Sequence, residues 1–471
     1  MAPQRPSFAE RAGAVDDARE AAITSVLATA ADLVLRSVRV SFADQHGLLR
    51  TKTVPADRLG EVVHDGLGIT GSLLAKDTGN SYAVPLWTPS GLATLDGLLG
   101  AQDMVMLPDP ATFRVLPWLD ATGWLLCDLY TTSAEPIALS TRRLCQQAAD
   151  ALADAGYHLQ AGLELELHLY DETAGQPIHP GWELLGENHA DLVHDRLEPL
   201  RASLDALGLP PRSFEVELGP GQIELTFPPA EACAMADAAV LVRSALSQVA
   251  RRHHMRASFM CRPGLEDSFP SGWHLHQSLA DPANGNCFVP DPASDGHDSL
   301  LSAAGRHWVA GLLTHAAASC LLTTPTVNGY KRYRPNSVAP DRVAWSRQHR
   351  GAMLRVIGGP GDLGTRVENR AGDPAANPYL YVASQLVAGL DGLCNRLEPS
   401  PPAIAPYHPD AGPLLPRSLG EAIEAFEQAT VYRNAWGDEV VTYLAMLKRC
   451  EWNRFLSTVT DWEQREYFEL F

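Results

Sequence analysis

Four short stretches carry residues whose types and spacing suit chemistry. Residues 162–170 read Gly-Leu-Glu-Leu-Glu-Leu-His-Leu-Tyr. Leucine alternates strictly with polar residues, the period of a strand with one apolar and one polar face. Leu163, Leu165, Leu167 and Leu169 face one way, and Glu164, Glu166 and His168 the other. Carboxylates at i and i+2 stand roughly 7 Å apart along a strand, close enough to repel unless water or a cation separates them. Residues 217–224, Glu-Leu-Gly-Pro-Gly-Gln-Ile-Glu, form a turn with a carboxylate on each flank. Residues 271–279 alternate His274 and His276 around Leu275, and residues 366–370 place Arg366, Glu368 and Arg370 on one strand face. Together these pieces supply five glutamates and a histidine to one cavity. That oxygen-rich set suits a hard divalent cation, Mg²⁺ or Mn²⁺, rather than a structural zinc.

The elements that must position these residues read as an α+β chain. A helical pattern covers 17–37, followed by a hairpin of Val38–Phe42 and Leu48–Val54 around the turn Asp44-Gln45-His46-Gly47. Residues 57–68 predict a short helix. The Gly-rich stretch 69–100 predicts loops around small strands, and Asp109–Trp118 and Trp124–Tyr130 predict further strands. The second part opens with a helix over Thr141–Ala155, with Ser140 before it and Gly156 after it. Helices are expected at 190–207, 230–253, 300–320, 375–394, 418–429 and 438–459, and a strand at 255–260. Residues 399–416 hold seven prolines and predict an irregular connector.

The chain has 471 residues, 45% of them hydrophobic and 20% charged, which suits a large globular core. A net charge of −19 without a basic run argues against nucleic acid or an anionic membrane surface as partner. No apolar stretch of spanning length and no signal-peptide pattern is read at the N-terminus. Eight cysteines lie scattered without CxxC spacing, as expected of reduced thiols in a cytoplasmic protein.

With these motifs in hand, the chain resembles the glutamine synthetase family from about Val34 onward. The resemblance also rests on Asp44-Gln45-His46-Gly47-Leu48-Leu49-Arg50, Met106-Leu107-Pro108-Asp109-Pro110, Asn328-Gly329-Tyr330-Lys331-Arg332 and Asp373-Pro374-Ala375-Ala376-Asn377-Pro378-Tyr379-Leu380. It implies an N-terminal extension over 1–32, a small β-grasp domain over 33–133 and a catalytic domain over 134–471, whose curved antiparallel sheet is backed by helices. It also implies stacked hexameric rings, a dodecamer of two, with each active site between one subunit's C-terminal domain and its neighbour's N-terminal domain. By motif position, Glu166, Glu217 and Glu224 match ligands of a first metal, and Glu164, His274 and Glu368 those of a second. His276 matches a residue near the nucleotide phosphates and Arg355 one on the ATP side. Arg332, Arg350 and Arg370 match the residues that grip the acid substrate and the transferring phosphoryl group. The implied chemistry is ATP-dependent: glutamate is phosphorylated on its side-chain carboxylate, and a nitrogen then displaces phosphate.

Two positions depart from the members that use ammonium. Val338 stands where an acidic residue is usual before Ala-Pro, and Thr70 where an aspartate is usual before Gly-Ser. A neutral, more apolar pocket holds a small cation poorly and rewards an apolar body by about 25 cal/mol per Å² buried. The expected activity is therefore joining glutamate to a primary alkylamine or arylamine to give a γ-glutamylamide. The alternatives are an ammonium-using glutamine synthetase, a phosphotransferase that stops at a phosphorylated nitrogen, and a catalytically silent structural or sensing relative. A third departure is Phe269-Pro270 before Ser271-Gly272, where Asn-Gly is common in the loop that touches glutamate. Trp273 is read either as core or as pocket wall.

Overall fold

The structure, a computed structural model, describes residues 6–88, 98–264, 267–281, 285–291 and 299–471. Part of the Gly-rich stretch, 89–97, and the first five residues of the extension lie outside the described residues. The α+β expectation holds, with two sheets in sequence. The N-terminal sheet is built from β1 (Ser37–Ala43), β2 (Leu49–Pro55), β3 (Leu67–Thr70), β4 (Asp103–Pro108), β5 (Arg114–Val115) and β6 (Thr122–Thr131). Its order is β2-β1-β6-β4-β3, with β5 on β6. β1 and β6 run parallel and the other pairs antiparallel. The helices Asp17–Asp32 and Leu59–Asp65 bury Ile23, Val26, Val62 and Val63 in its core.

The C-terminal sheet holds β7 (His158–Asp171), β8 (Ser213–Val216), β9 (Gln222–Thr226), β10 (Ala230–Glu231), β11 (Met255–Ser258), β12 (Trp273–Asp281), β13 (Gly285–Asn286), β14 (Trp345–Arg347), β15 (Leu354–Ile357) and β16 (Arg366–Gly372). Its main path is β14-β15-β16-β12-β7-β9-β8. Every pair on it is antiparallel except the edge pair β14–β15. The alternation on β7 does what its period requires. Leu163, Leu165, Leu167 and Leu169 are all at most 1% exposed and pack on helices behind the sheet. Among those helices is Ala232–Arg252, which alone among the described residues is long and apolar enough to cross a membrane by composition, and which is 61% buried here. The long helix Pro378–Asn395 packs against Ala303–Thr314 and Thr141–Asp154.

Several local expectations are corrected. The helix expected over 300–320 is two helices, Ala303–Thr314 and Ala316–Thr323, broken at His315, whose ring bonds Asp391 at 2.8 Å. The strand expected over Asp109–Trp118 is a 3-10 turn, Pro110–Thr112, followed by the two-residue β5, because Asp109 caps the turn through Ala111 N–H. The first long helix stops at Asp32, and β3 and β4 were not foreseen, since both are short and depend on pairing, β4 with β6 and β3 with β4.

Two buried arginines join the parts. Arg243 donates to the carbonyls of Pro374, Ala376 and Gly47, tying the Asp44–Gly47 turn to the start of the helix at Pro378. Gly47 is at φ +71°, and a Cβ there would lie 2.8 Å from Arg243 Nη2, so the turn needs glycine for both conformation and room. Arg142, at the head of its helix, bonds Asp109 just after β4 and Asp128 on β6 at 2.8 Å and Asp237 at 2.9–3.0 Å. Arg142→Met leaves three aspartates facing one another and is expected to cost about 3–5 kcal/mol of stability. Urea unfolding checks this, and adding Asp128→Asn to Arg142→Met should recover part of the loss.

Candidate functional site

The register of the sheet assembles the cluster. Glu166 lies opposite Glu224, Glu224 opposite Glu215, His274 opposite Glu164, and His276 opposite Glu368. Residues far apart in the chain therefore share one wall of a cavity of about 990 Å³. Eleven of the thirteen residues singled out from the sequence line it: Glu164, Glu166, Glu217, Glu224, His274, His276, Arg332, Val338, Arg350, Arg355 and Arg370; Glu368 lies buried behind the wall, beside His274 and Arg355. Thr70 does not line it. It sits in the N-terminal sheet, where its hydroxyl donates to Ser72 Oγ at 2.9 Å and caps the turn that follows.

His274 Nδ1 meets Glu164 Oε1 at 2.5 Å and Glu368 Oε1 at 3.6 Å, while its Nε2 accepts from Arg332 at 3.1 Å. Burial, with Arg370 nearby, pushes the imidazole down to about 4, so it is neutral and donates from Nδ1. His276 joins Glu164 Oε2 at 3.0 Å and accepts from Arg366 Nε at 3.1 Å. Burial works against the charge on Glu164, but the bonds from the two histidines override it and hold the carboxylate ionised. Glu368 is fully buried between Arg370 and Arg355, the latter at 2.8 Å. Burial again opposes its charge, and Arg370 foremost restores it.

On the β8–β9 side no arginine among the described residues closes on the carboxylates in this way. Burial and then Glu217 push Glu166 up to about 8. Burial, Glu164 and Glu166 push Glu224 up to about 10. Glu217 is raised in the same direction, chiefly by burial. Ligand atoms of Glu164, Glu224 and His274 lie within 4.8 Å of one another, as do those of Glu164, His276 and Glu368. Glu164 thus belongs to both tight groups. Crowded carboxylates with a neutral imidazole fit a hard divalent cation, whose charge would relieve the repulsion that raises Glu166 and Glu224.

Arg332 is 4% exposed and donates to the carbonyls of Arg370 and Gly372. It reaches His274 because residue 272 is glycine: a Cβ there would lie 2.7 Å from both Arg332 Nη2 and His274 Nε2. Arg350 is exposed on the cavity wall, with its carbonyl fixed by Arg370 Nε at 2.9 Å. Trp273 is core, not pocket wall: it is fully buried edge-on to Tyr381, ring centres 4.9 Å apart. His168 is structural, bonding Ser271 Oγ at 3.2 Å.

Sequence reasoning missed Gln222, whose amide donates to Glu166 Oε2 at 2.6 Å and orients it. It also missed Glu215 and Arg212 on the cavity wall. The signal was present, since Gln222 and Glu224, like Glu215 and Glu217, stand two apart on a strand or its extension. Beside the charged floor the cavity has an apolar side of Leu184, Leu185, Phe269, Pro270 and Val338. Val338 is half exposed at φ +63°, a strained conformation for a β-branched residue.

Residues 138–467 match the glutamine synthetase catalytic domain. The chain is 40% identical to a gamma-glutamylanilide synthase of Acinetobacter sp, over 97% of each chain. It is 33% identical to a gamma-glutamylethanolamide synthetase of Streptomyces coelicolor, over 92% of each. It is 30% identical to a glutamate–isopropylamine ligase of Pseudomonas sp, over 92% of this chain and 95% of that one. Its fold is similar to that of a GmaS–ADP complex, with TM-score 0.80 and 26% identity over 94% of this chain and 99% of that chain. The chain belongs to the glutamine synthetase family. By class it is an ATP-dependent ligase that forms a C–N bond.

The two sides of the cluster predict opposite responses to the same substitution. Glu224→Gln removes a carboxylate from like charges. It should stabilise the metal-free protein by about 1–2 kcal/mol at pH 8, because the folded chain no longer has to hold a proton that the unfolded chain releases. The same change should abolish the Mg²⁺-dependent rise in melting temperature. Glu368→Gln strips the partner from two buried arginines and should cost about 3–5 kcal/mol. Melting temperatures in EDTA and in Mg²⁺ read both.

Proposed function

We propose that this enzyme joins the γ-carboxylate of glutamate to a primary amine with an apolar body, giving a γ-glutamylamide through γ-glutamyl phosphate. The observation that carries the reading is the neutral side of the cavity. Val338, Leu184, Leu185 and Phe269 line the same cavity as the carboxylates, and in this reading they form its amine side, where a captured ammonium ion would need a nearby negative charge. The names of the relatives, which include an anilide, an ethanolamide and an isopropylamine product or substrate, support the same reading.

In this reading Glu166, Glu217 and Glu224 hold one Mg²⁺ or Mn²⁺, and Glu164, His274 and Glu368 hold the other. The cations supply charge neutralisation for phosphoryl transfer. His276 and Arg355 face the nucleotide. Arg332, Arg350 and Arg370 orient the glutamate carboxylate toward the γ-phosphorus and counter the charge on its equatorial oxygens. A glutamate oxygen bonds to that phosphorus as ADP leaves. The amine nitrogen then bonds to the acyl carbon, phosphate leaves with the former carboxylate oxygen, and the nitrogen loses a proton. Arg332 keeps His274 in one tautomer by donating to Nε2, and Gln222 keeps Glu166 turned into the cavity.

Thr70 takes part only if a neighbouring subunit presents it. This belongs with the proposed dodecamer of two hexameric rings, in which one chain's 33–133 domain completes the site on the next chain's 134–471 domain. The 1–32 extension lies outside that arrangement, and the cytoplasm is the proposed compartment. The match over 138–467 supports the catalytic domain's position.

The test is phosphate release from Mg²⁺-ATP and glutamate with ammonium, ethanolamine, isopropylamine, aniline, putrescine and spermine, with the amide identified by mass spectrometry. An apolar monoamine should exceed ammonium in kcat/KM by at least about 100-fold, on the order of 2.7 kcal/mol in transition-state binding. Val338→Glu should move that ratio toward ammonium by about tenfold or more. Ammonium as the best substrate of the native enzyme would overturn the reading.

A further inference from the structure

The Pro-rich connector 399–416 is irregular apart from the 3-10 turn Pro409–Ala411. It is nevertheless stitched along its length to residues 339–346, which run from the wall of the main cavity into β14. Trp345 Nε1 donates to Ser400 O at 2.6 Å, and Ser346 Oγ to Ala403 O at 2.7 Å. Ala403 N–H donates to Trp345 O and Val343 N–H to Pro413 O, both at 2.8 Å, and Leu415 N–H to Asp341 O at 2.9 Å. Arg342 donates to the carbonyls of Tyr407 and Gly412, at 3.3 and 3.0 Å. The connector mostly accepts, as a stretch rich in proline must, because proline has no N–H to give.

From the middle of this strap the half-buried Tyr407 reaches behind the cavity wall. Its hydroxyl donates to Ala339 O at 3.0 Å. Its ring edge fills the space beside Gly351, where a Cβ would lie 2.6 Å from Cε2 and 2.8 Å from Cζ. Ala339 and Gly351 are both buried, and each directly follows a residue that lines the cavity: Val338 in one case and Arg350 in the other.

Both of those cavity residues need backing. Val338 is half exposed at φ +63°, a conformation that a β-branched residue keeps only where the surrounding chain imposes it. The loop before it offers little hold. Arg334, Pro335 and Asn336 are exposed, and Ser337 bonds back to Arg334 O within the same loop. Arg350 is exposed too, with its carbonyl taken by Arg370 Nε at 2.9 Å and the Tyr407 ring packed on the residue that follows it. We propose that Tyr407 is a positioning residue of the ligase reaction, whose hydroxyl holds the Val338 end of the cavity and whose ring holds the Arg350 end. One side chain from outside the cavity thus sets where the amine and the acid sit relative to each other. The inference rests on the reading of Val338 as the amine side and of Arg350 as a grip on glutamate.

The test is steady-state kinetics of the full-length enzyme with Mg²⁺-ATP, glutamate and the nitrogen substrate that the native enzyme turns over best. Using that substrate, even if it is ammonium, separates the two questions: an ammonium preference would end the reading above and leave this measurement intact. Tyr407→Phe keeps the ring and removes the hydroxyl. It should raise KM for the nitrogen substrate about fivefold, the equivalent of one ordinary hydrogen bond, with kcat and KM for glutamate within about twofold of native. Tyr407→Ala removes the ring as well and should also raise KM for glutamate, by about tenfold, because a substrate-holding group is then misplaced. A merely structural role would lower kcat or active fraction in both variants without splitting the two KM values. That result, equal rises in both KM values with Tyr407→Phe, or a Tyr407→Ala variant with the glutamate KM of the native enzyme would each overturn the proposal. If Tyr407→Ala fails to fold, Gly351→Ala replaces it, since its Cβ displaces the ring edge and should raise the glutamate KM in the same way.

Discussion

Repulsion among buried carboxylates is the constraint around which the C-terminal sheet is arranged. Glu164 and Glu166 on β7, Glu224 on β9, and Glu215 and Glu217 on and beyond β8 all face one cavity. An apolar interior would not tolerate that density of like charge. The structure meets it in two ways. On the β16 side, Arg355 and Arg370 close on Glu368, and the histidines donate to Glu164, so charge is matched within the protein. On the β8–β9 side, burial and then repulsion instead raise Glu166 and Glu224, so that half of the site stands ready to exchange protons for a cation.

The division has a consequence for how positioning and chemistry share residues. Arg332, Arg355 and Arg370 each serve the frame as well as the cavity. Arg332 holds two carbonyls and the His274 ring, Arg370 holds Arg350 O, and both Arg355 and Arg370 hold Glu368. Arg350 is the exposed member of the set. A guanidinium can do both because its five N–H groups diverge in a fixed fork, so a bond spent on the frame leaves others for a ligand and stiffens the group that presents them.

The N-terminal strand domain shares a hydrophobic core with this assembly and is also tied to it by buried polar contacts. Arg142 gathers aspartates from both sheets' surroundings, and Arg243 bridges the Asp44–Gly47 turn to the segment after β16. The motif around Asp44 therefore acts as a joint between the two parts of the chain. At the main site, Val338, Leu184 and Phe269 line the same cavity as the carboxylates and arginines.

The sequence by itself determined which faces of which strands carry charge. Alternation in 162–170 and 271–279 fixes which residues share a face, because side chains on a strand alternate with period two, whatever the strand pairs with. Glycine at 47 and 272, and the long helices behind the sheet, were likewise written locally. What the sequence could not fix is what depends on register and on neighbours distant along the chain. Glu166 faces Glu224 across β9, and His276 faces Glu368 across β16, only because those strands pair without slipping. The break at His315 answers to Asp391 on another helix, β4 exists by pairing with β6 and β3 by pairing with β4, and Trp273 is core because Tyr381 covers it. Even the proton state of Glu224 against that of Glu164 was undecidable from residue type, since the two differ in which buried charges and donors the fold brings near.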